Sequence, residues 1–423
     1  MSGMDFVSLD ERARAILRGN DRGGYTVPTA GLYPYQWNWD SAFAGWGFAT
    51  FDVNRAWQEV ETLFSAQWPN GMVPHIIFHK EDPGYFPGAD VWGTHGIGPI
   101  PSSGISQPAV GATAVRAMWE ADKAAGEARL RALLPKIKAW HKWFMDWRTT
   151  EEGAVFITHP WEAGRDNNAD WDSAMAMIEP VGVGEYTRRD TGHVDPSMRP
   201  TKADYDRYIF LVNRGRELGW DEAKLSENRP FAVADPTLTF ILLRANRDLA
   251  AMAEALGEDR SEIDAWSAKL EQGAERLRNP ETGIFGAINL RSGEFTCHLT
   301  SASFLCWYAG LDDPRIKEAL DVSLSTSRYP VPSLAIDSSD FDGMRYWRGP
   351  TWAIMNCMIG IGLADMGFVE EAEKLRIATR DLIAEHGFAE YFNPQTGDPA
   401  GGGTFTWTAA VWLAWASPSV GEN

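Results

Sequence analysis

The sequence has few cysteines and little positive charge. Its 423 residues include three Cys (Cys297, Cys306 and Cys357), and none of their spacings is typical of a zinc or redox site. We therefore expect neither a disulfide framework nor a metal centre. Lys and Arg total 39 against 58 Asp and Glu, which leaves a formal net charge of −19. Because nucleic-acid binding needs a basic surface that neutralises phosphates, we expect no nucleic-acid partner.

Long apolar runs are absent as well. No stretch approaches the roughly 18 apolar residues that would predict a membrane span, so we expect no membrane partner. The segment 1–20 carries charges throughout and lacks the apolar centre of a secretory signal. The expected compartment is therefore the cytoplasm.

Aromatic residues, by contrast, are abundant. The chain has 20 Trp, 11 Tyr and 20 Phe, which together make up 12% of its residues. Large rings fill protein cores, and we expect that role for most of them. Carbohydrate sites are another common use, because the apolar face of a sugar stacks on Trp and Tyr rings. Composition alone neither establishes nor excludes a carbohydrate-binding site.

Helical periodicity dominates the chain. Between Arg129 and Trp147 the apolar residues recur at the i, i+3, i+4, i+7 spacing of one buried helix face. Similar patterns predict further helices around 41–64, 108–121, 238–249, 263–270, 301–309, 351–366, 369–382 and 405–416. Strand signals are few, and we expect one short strand at 154–157, in a small hairpin beside a loop.

The connections between these helices alternate in character. Long segments rich in Gly, Pro and aromatic residues occur at 23–40, 68–107, 158–200, 330–350 and 386–405. Recurrent helices with a long loop at every other connection predict an all-α barrel of paired helices. Its inner ring would be apolar, its outer ring amphipathic, and the long loops would gather on one face. Since no linker-like composition divides the chain, we expect one domain over residues 1–423.

Three of the long loops contain the polar and aromatic residues that chemistry requires. Segment 33–40 reads Tyr-Pro-Tyr-Gln-Trp-Asn-Trp-Asp, segment 159–168 crowds acids, an Arg and a Trp, and segment 386–397 places Glu390 among rings. An aromatic wall can raise the pKa of a carboxylate by desolvation, which a general acid at neutral pH requires. Core packing, helix caps and solvated turns are the competing explanations of each motif taken singly.

Together the motifs resemble glycoside hydrolase family 63. The matching motifs, in order along the chain, are 36–40, 106–108, 162–167, 347–352 and 390–394. The compact length and segment 23–28 look most similar to the bacterial mannosylglycerate and glucosylglycerate hydrolases of that family. The resemblance implies an (α/α)6 barrel with long loops on one face, and an inverting exo-α-glycosidase without metal or organic cofactor. Ala163 departs from the Ser or Thr of many relatives but leaves the nearby carboxylate in place.

The resemblance also implies roles for individual residues. Asp166 would be the general acid and Glu390 the general base, because inversion needs an acid at the leaving oxygen and a carboxylate that activates water across the ring. Arg199 and Tyr205 match positions that hold the glycerate carboxylate, and a planar guanidinium suits such a partner. A solvated charge is the competing explanation of Arg199. The full set of expected substrate-binding residues is Tyr33, Trp37, Trp39, Asp40, Tyr85, Gln107, Trp161, Arg199, Tyr205, Trp347 and Trp352.

Several functions remain open from the sequence. The first is hydrolysis of a small charged α-glycoside, mannosylglycerate or glucosylglycerate, and the second is hydrolysis of neutral α-gluco-oligosaccharides. A sugar 2-epimerase would need a pair of His facing the sugar instead of two carboxylates. A non-catalytic carbohydrate-binding protein ranks last because both catalytic carboxylates are present. The run of glycines at 401–403 further predicts a mobile lid over 398–405.

Overall fold

Helices form the framework of the chain. The structure, a computed structural model, describes residues 5–420 and is about 52% helical. The helices are α1 (Phe6–Asn20), α2 (Asn38–Ala49), α3 (Val53–Ser65), α4 (Ala89–Trp92), α5 (Gly111–Ala121), α6 (Lys123–Trp147), α7 (Asp172–Ala176), α8 (Asp190–His193), α9 (Lys202–Glu217), α10 (Glu222–Glu227), α11 (Pro236–Ala255), α12 (Ser261–Arg276), α13 (Pro314–Thr326), α14 (Ala353–Asp365), α15 (Val369–His386) and α16 (Thr406–Val411). A π-helical turn, Trp412–Ala416, continues α16, and 3₁₀ turns lie at Pro160–Ala163, Ala169–Trp171, Pro196–Met198 and Ser303–Cys306.

Two-residue strands brace the loops between the helices. They are β1 (Gln36–Trp37), β2 (Ile76–Ile77), β3 (Phe156–Ile157), β4 (Val233–Ala234), β5 (Ile288–Asn289), β6 (Glu294–Phe295), β7 (Tyr391–Phe392) and β8 (Pro399–Ala400). All pairings are antiparallel: β1 with β2, β7 with β8, and β3–β4–β5–β6 in one sheet. The strand predicted at 154–157 forms at β3, and the predicted hairpin forms through an antiparallel bridge between Thr149 and Val155. β3 also pairs with the distant β4, which local sequence patterns do not predict.

Six elements contact one another in a closed ring. α2 packs on α5, α5 on α11, α11 and α14 on the turn Ser303–Cys306, α14 on α16, and α16 again on α2. In α14, ten of 13 residues are buried, whereas α15, which packs against it, buries five of 18. The burial pattern therefore separates a ring of buried helices from an outer layer whose helices bury one face.

The predicted helices form, with corrections at their boundaries. The segment 41–64 is two helices and not one, because Asp52 accepts a hydrogen bond from the Arg55 N–H and caps α3. The segment 301–309 contains a 3₁₀ turn instead of a regular α-helix. Helices α1, α9 and α13 are not among those predicted from the sequence. Only two of the 13 residues of α13 are buried, so its apolar stripe is weak.

The long connections lead into the ring. Segments 21–37, 66–110, 148–235, 327–352 and 387–405 precede α2, α5, α11, α14 and α16, whereas the connections that follow α2, α5, α11 and α14 are short. All five long segments contribute residues to one cavity. The ring thus supplies a rigid base, and the loops that enter it supply the walls of the site.

Two negative findings apply to the part of the chain that the structure describes. None of the helices within residues 5–420 has the length and apolar character needed to cross a bilayer. The same residues contain no group of three or more His, Cys, Asp or Glu side chains that could hold a metal ion.

Candidate active site

A cavity of about 820 Å³ opens among the five long loops. It brings together eleven of the thirteen residues that the sequence analysis assigns to the site. They are Tyr33, Trp37, Trp39, Asp40, Tyr85, Gln107, Trp161, Asp166, Arg199, Tyr205 and Glu390. The two carboxylates expected to catalyse hydrolysis therefore line the same cavity, although they come from different loops.

Trp347 and Trp352 do not line this cavity, which corrects the sequence prediction. Both indoles are fully buried and stack on each other with ring centroids 3.8 Å apart. Trp347 packs against Trp39 at 6.2 Å, and Trp352 packs against Trp407 at 5.8 Å. Since Trp39 and Trp407 themselves line the cavity, the stacked pair supports the wall from behind.

Glu390 lies between two tyrosine hydroxyls and a guanidinium. The hydroxyls of Tyr33 and Tyr346 donate hydrogen bonds to its Oε1 at 3.0 and 3.2 Å, and Arg199 Nη1 lies 3.5 Å from Oε2. Burial raises the pKa of Glu390 to about 7, while Arg199 and the two hydroxyls act in the opposite direction. A carboxylate whose pKa is near neutrality accepts a proton from water more readily than an ordinary one.

Asp166 lies in a loop whose backbone is held firmly. The hydroxyl of Tyr208 donates to the Asp166 carbonyl oxygen at 2.7 Å, and the preceding Arg165, fully buried, donates to Asp235 at 2.8 Å. Burial raises the pKa of Asp166 to about 7, opposed mainly by the charge of Arg199. At neutral pH a large share of this carboxyl is protonated, so it can donate a proton.

Asp40 and Gln107 offer polar groups to a ligand. Asp40 lies in the first turn of α2, and its Oδ1 is buried without a hydrogen-bond partner among the described residues. Burial and the charge of Glu390 raise its pKa well above the usual range, which favours the neutral carboxyl. Gln107 Oε1 accepts from the Trp39 N–H at 3.3 Å, and this contact leaves the amide nitrogen to a ligand. Both groups can bind hydroxyls.

Aromatic rings form most of the remaining wall. Tyr33 meets Trp37 edge-to-face at 5.3 Å, Trp37 meets Tyr85 at 5.9 Å, and Trp161 meets Tyr205 at 5.7 Å. Edge-to-face contacts of this kind fix the rings against one another. The cavity therefore presents rigid apolar surfaces next to its carboxylates.

Two residues that act directly on this site are absent from the set predicted from the sequence. Tyr346 lines the cavity, has a φ of +51°, and places its ring 3.8 Å from the Arg199 guanidinium carbon. Asp190 accepts hydrogen bonds from Arg199 at 3.1 Å and from Arg188 at 2.6 Å, which anchors the cation. Tyr346 immediately precedes the motif 347–352, and that adjacency was the available signal. Nothing in the pattern around Asp190 distinguishes it from a surface acid.

Comparison with known proteins identifies the family. Residues 33–408 match the family model described as the mannosylglycerate hydrolase MGH1-like glycoside hydrolase domain. These residues include both carboxylates and the cavity walls from Tyr33 to Trp407. The chain belongs to this family. As an MGH1-like member it is a glycoside hydrolase.

Individual MGH1-like proteins are similar over nearly their whole length. Mannosylglycerate hydrolase MGH1 of Selaginella moellendorffii is 44% identical over 98% of this chain and 87% of that protein. Glucosylglycerate hydrolase of Mycolicibacterium hassiacum is 34% identical over 97% of this chain and 98% of that protein. The crystal structure of the GH63 mannosylglycerate hydrolase from Thermus thermophilus, in complex with Tris and D-glycerate, matches with a TM-score of 0.93 and 42% identity, over 96% of this chain and 99% of that one. The resemblance to glycoside hydrolase family 63 is confirmed.

Proposed function

We propose that this glycoside hydrolase cleaves mannosylglycerate or glucosylglycerate with inversion at the anomeric carbon. The observation that carries the proposal is one cavity lined by two carboxyl groups, each with a pKa of about 7, and by a buried arginine. Relatives that act on these two substrates match almost the entire chain.

In the proposed reaction Asp166 is the acid and Glu390 the base. Asp166 gives its proton to the glycosidic oxygen as the bond from that oxygen to the anomeric carbon breaks. Glu390 takes a proton from a water molecule, whose oxygen attacks the anomeric carbon from the opposite side of the sugar ring. The products are the free sugar, first as its β anomer, and glycerate. We expect the carboxyls about 6.5–9.5 Å apart, because a water must fit between the base and the sugar.

Asp40, Gln107 and the ring of Trp39 would hold the sugar. The buried Asp40 Oδ1 has no hydrogen-bond partner among residues 5–420. An unsatisfied buried oxygen costs free energy, and a sugar hydroxyl would satisfy it. Glucosides and mannosides differ at the 2-hydroxyl, and the proposal covers both sugars.

Arg199 and Tyr205 would hold the carboxylate of glycerate. Long-range attraction cannot bring a negative substrate to a protein whose net charge is −19, so a local cation is needed. Arg199 lines the cavity, with Nε bonded to Asp190 and Nη2 bonded to the Tyr33 hydroxyl at 2.8 Å. The remaining Nη1 lies 3.5 Å from Glu390 Oε2, and this long contact leaves it donor capacity for a substrate carboxylate.

We also propose that the architecture is an (α/α)6 barrel in one catalytic domain spanning residues 1–423. The closed ring of six elements supports an inner set, and α1, α3, α6, α12, α13 and α15 would form the outer set. One continuous buried cluster extends from Ala13 to Ala416, which supports a single domain.

The epimerase alternative receives no support from the cavity. Among the residues that the structure describes, His75 is the one His in its lining, so a facing His pair is not present. Burial lowers the pKa of His75 well below its usual value, and its ring stacks on Trp161 with centroids 6.0 Å apart. A structural role explains this residue.

The decisive experiment offers the enzyme three substrates and follows the product anomer by proton NMR. The substrates are mannosylglycerate, glucosylglycerate and a neutral α-glucobiose. We expect hydrolysis of at least one glycerate glycoside, with the β anomer appearing first. Activity on the neutral disaccharide alone would replace the proposal with the neutral-oligosaccharide function, and an initial α anomer would indicate retention.

A further inference from the structure

A second cavity adjoins the loop that carries Asp166. Three arginines, Arg148, Arg214 and Arg229, line it, and no acidic side chain of residues 5–420 does. Much of the remaining lining is apolar and includes Leu211 and Phe231. Clustered cations around an apolar cavity are unexpected in a protein whose net charge is −19.

Arg229 is the cation with the least compensation. It is half-buried, it forms no ion pair within the described part of the chain, and its Nε is buried without a hydrogen-bond partner there. Its guanidinium lies over the ring of Phe156 at 4.8 Å. Burial and the neighbouring charge of Arg148 lower its pKa. The charges of Glu222 and Glu162 act in the opposite direction, but the buried Nε donor still lacks a hydrogen-bond partner among the described residues. An unsatisfied buried donor costs free energy, and an acceptor in the cavity would relieve that cost.

The nearby carboxylates are already engaged by another arginine. Arg148 donates to Glu162 at 2.9 Å and to Glu222 at 2.7 Å, and all three side chains are buried. Both carboxylates bind Arg148 directly, and neither forms an ion pair with Arg229 among the described residues. Within residues 5–420, Arg214 forms one ion pair, with the exposed carboxylate of Glu217 at 3.6 Å. Arg214 and Arg229 thus have unused donor capacity at the cavity.

The second cavity shares a wall with the active-site loop. Thr158 and His159 line it, and the Thr158 hydroxyl donates to Glu162 at 3.0 Å. The ring of His159 packs on Trp161 at 4.5 Å, and Trp161 lines the active-site cavity on its other side. The two cavities are therefore neighbours with separate linings.

We propose that the second cavity is a binding site for a small organic anion, an apolar group that carries a phosphate or carboxylate. Arg229 would pair with the anionic group and Arg214 would be the second donor. Leu211, Trp220 and Phe231 would contact the apolar part. The site is distinct from the catalytic cavity, and the proposal stands whether or not the substrate is a glycerate glycoside.

Phenyl phosphate is the probe, because it combines an anionic group with one apolar ring. Isothermal titration at constant ionic strength should show one molecule bound per chain at this site. Arg229→Gln should weaken that binding at least tenfold, in line with the loss of a charge-assisted hydrogen bond. Arg229→Lys keeps the charge and should lose less. The exposed Arg276 gives the matched control, and Arg276→Gln should leave the affinity unchanged.

A third variant separates the two cavities. Arg199→Gln removes the arginine of the active site, so binding in the second cavity should survive it. Loss in Arg199→Gln with retention in Arg229→Gln would place the probe in the active site and overturn the proposal. Equal affinity in wild type and Arg229→Gln, or no binding to wild type, would overturn it as well. If Arg229→Gln does not fold, as judged by circular dichroism, Arg214→Gln takes its place with the same expected weakening.

Discussion

Replacing Gly401 by Ala tests how tightly Glu390, the proposed general base, is held. Gly401 follows β8 with a φ of +78°, and an added Cβ would overlap Oε2 and Cβ of Glu390 and lie 2.9 Å from its Cδ. Carbon atoms normally approach no closer than about 3.5 Å. Glu390 cannot swing aside freely, because Tyr33 and Tyr346 hold its Oε1. The contact with Cδ is about 0.6 Å shorter than normal separation, and the overlap with Oε2 and Cβ is closer still. The substitution must therefore displace the Glu390 carboxylate or the β7–β8 hairpin by on the order of 1 Å.

The expected loss follows from that displacement. Moving a catalytic group by about 1 Å costs on the order of 100-fold in rate, so kcat/KM of Gly401→Ala should fall about 100-fold. The left-handed backbone adds roughly 1–2 kcal/mol of strain for Ala. A typical domain is stable by about 5–15 kcal/mol, so the variant should still fold. Steady-state kinetics and thermal unfolding measure the two effects separately.

Gly402 supplies a matched control in the same loop. Its φ is +100°, and an added Cβ would have Thr29 Oγ1 as its nearest neighbour, at 3.6 Å. Gly402→Ala therefore carries a similar backbone cost without a clash at Glu390, and its kcat/KM should stay within about threefold of wild type, less than 1 kcal/mol. Equal losses of activity in the two variants would refute the reasoning, because loop strain and not contact with the base would then control the rate.

Four further outcomes are expected. The pH profile of kcat/KM of the wild type should be bell-shaped with both limbs near pH 7, because Glu390 must be ionised and Asp166 protonated. A profile that is flat from about pH 5 to about pH 9 would contradict this assignment. Asp166→Asn and Glu390→Gln should each lower kcat by about 10²–10⁴-fold with the fold intact by circular dichroism. Asp166→Asn should also raise the unfolding midpoint by a few degrees. The raised pKa of Asp166 means that its protonated form stabilises the fold and that this stability is lost as the pH rises through about 7. The gain in unfolding midpoint from the substitution should therefore be full above that pH and absent below about pH 4. Arg199→Ala should raise KM for a glycerate glycoside roughly 10–100-fold and affect a neutral α-glycoside much less, whereas equal effects would make Arg199 structural.

The placement of Asp166 and Glu390 in one cavity could be predicted because each lies in a motif that other residues also mark. Asp166 follows an acid and an arginine in one loop, and Glu390 lies among aromatic residues in another. Their common cavity depends on the ring of helices, which the apolar pattern of segments such as α14 already indicated. The sequence motifs and the helical periodicity were therefore sufficient to predict the buried helices and the meeting of the two carboxylates.

Motifs and periodicity could not predict whether a side chain lines the cavity or lies behind its wall. Trp347 and Trp352 belong to a matching motif, yet Trp39 and Trp407 stand between them and the ligand space. Whether an indole faces the cavity or supports its wall depends on which other loop lies in front of it. Tyr346 was missed for the same reason, because its contact with Glu390 joins loops far apart in the chain.

The packing of α2 against α16 has a consequence for biosynthesis. α2 ends at Ala49 and α16 begins 357 positions later, at Thr406. The two helices nevertheless pack closely at Gly47, where an added Cβ would lie 2.7 Å from Ala410. At about 5–20 residues per second, a ribosome needs roughly 20–70 s to span that interval. Throughout that interval the face of α2 that packs on α16 lacks this partner. Because Trp407 lines the cavity, the last helix to emerge completes the ring and the catalytic site together, and a truncated translation product should be inactive and prone to aggregate.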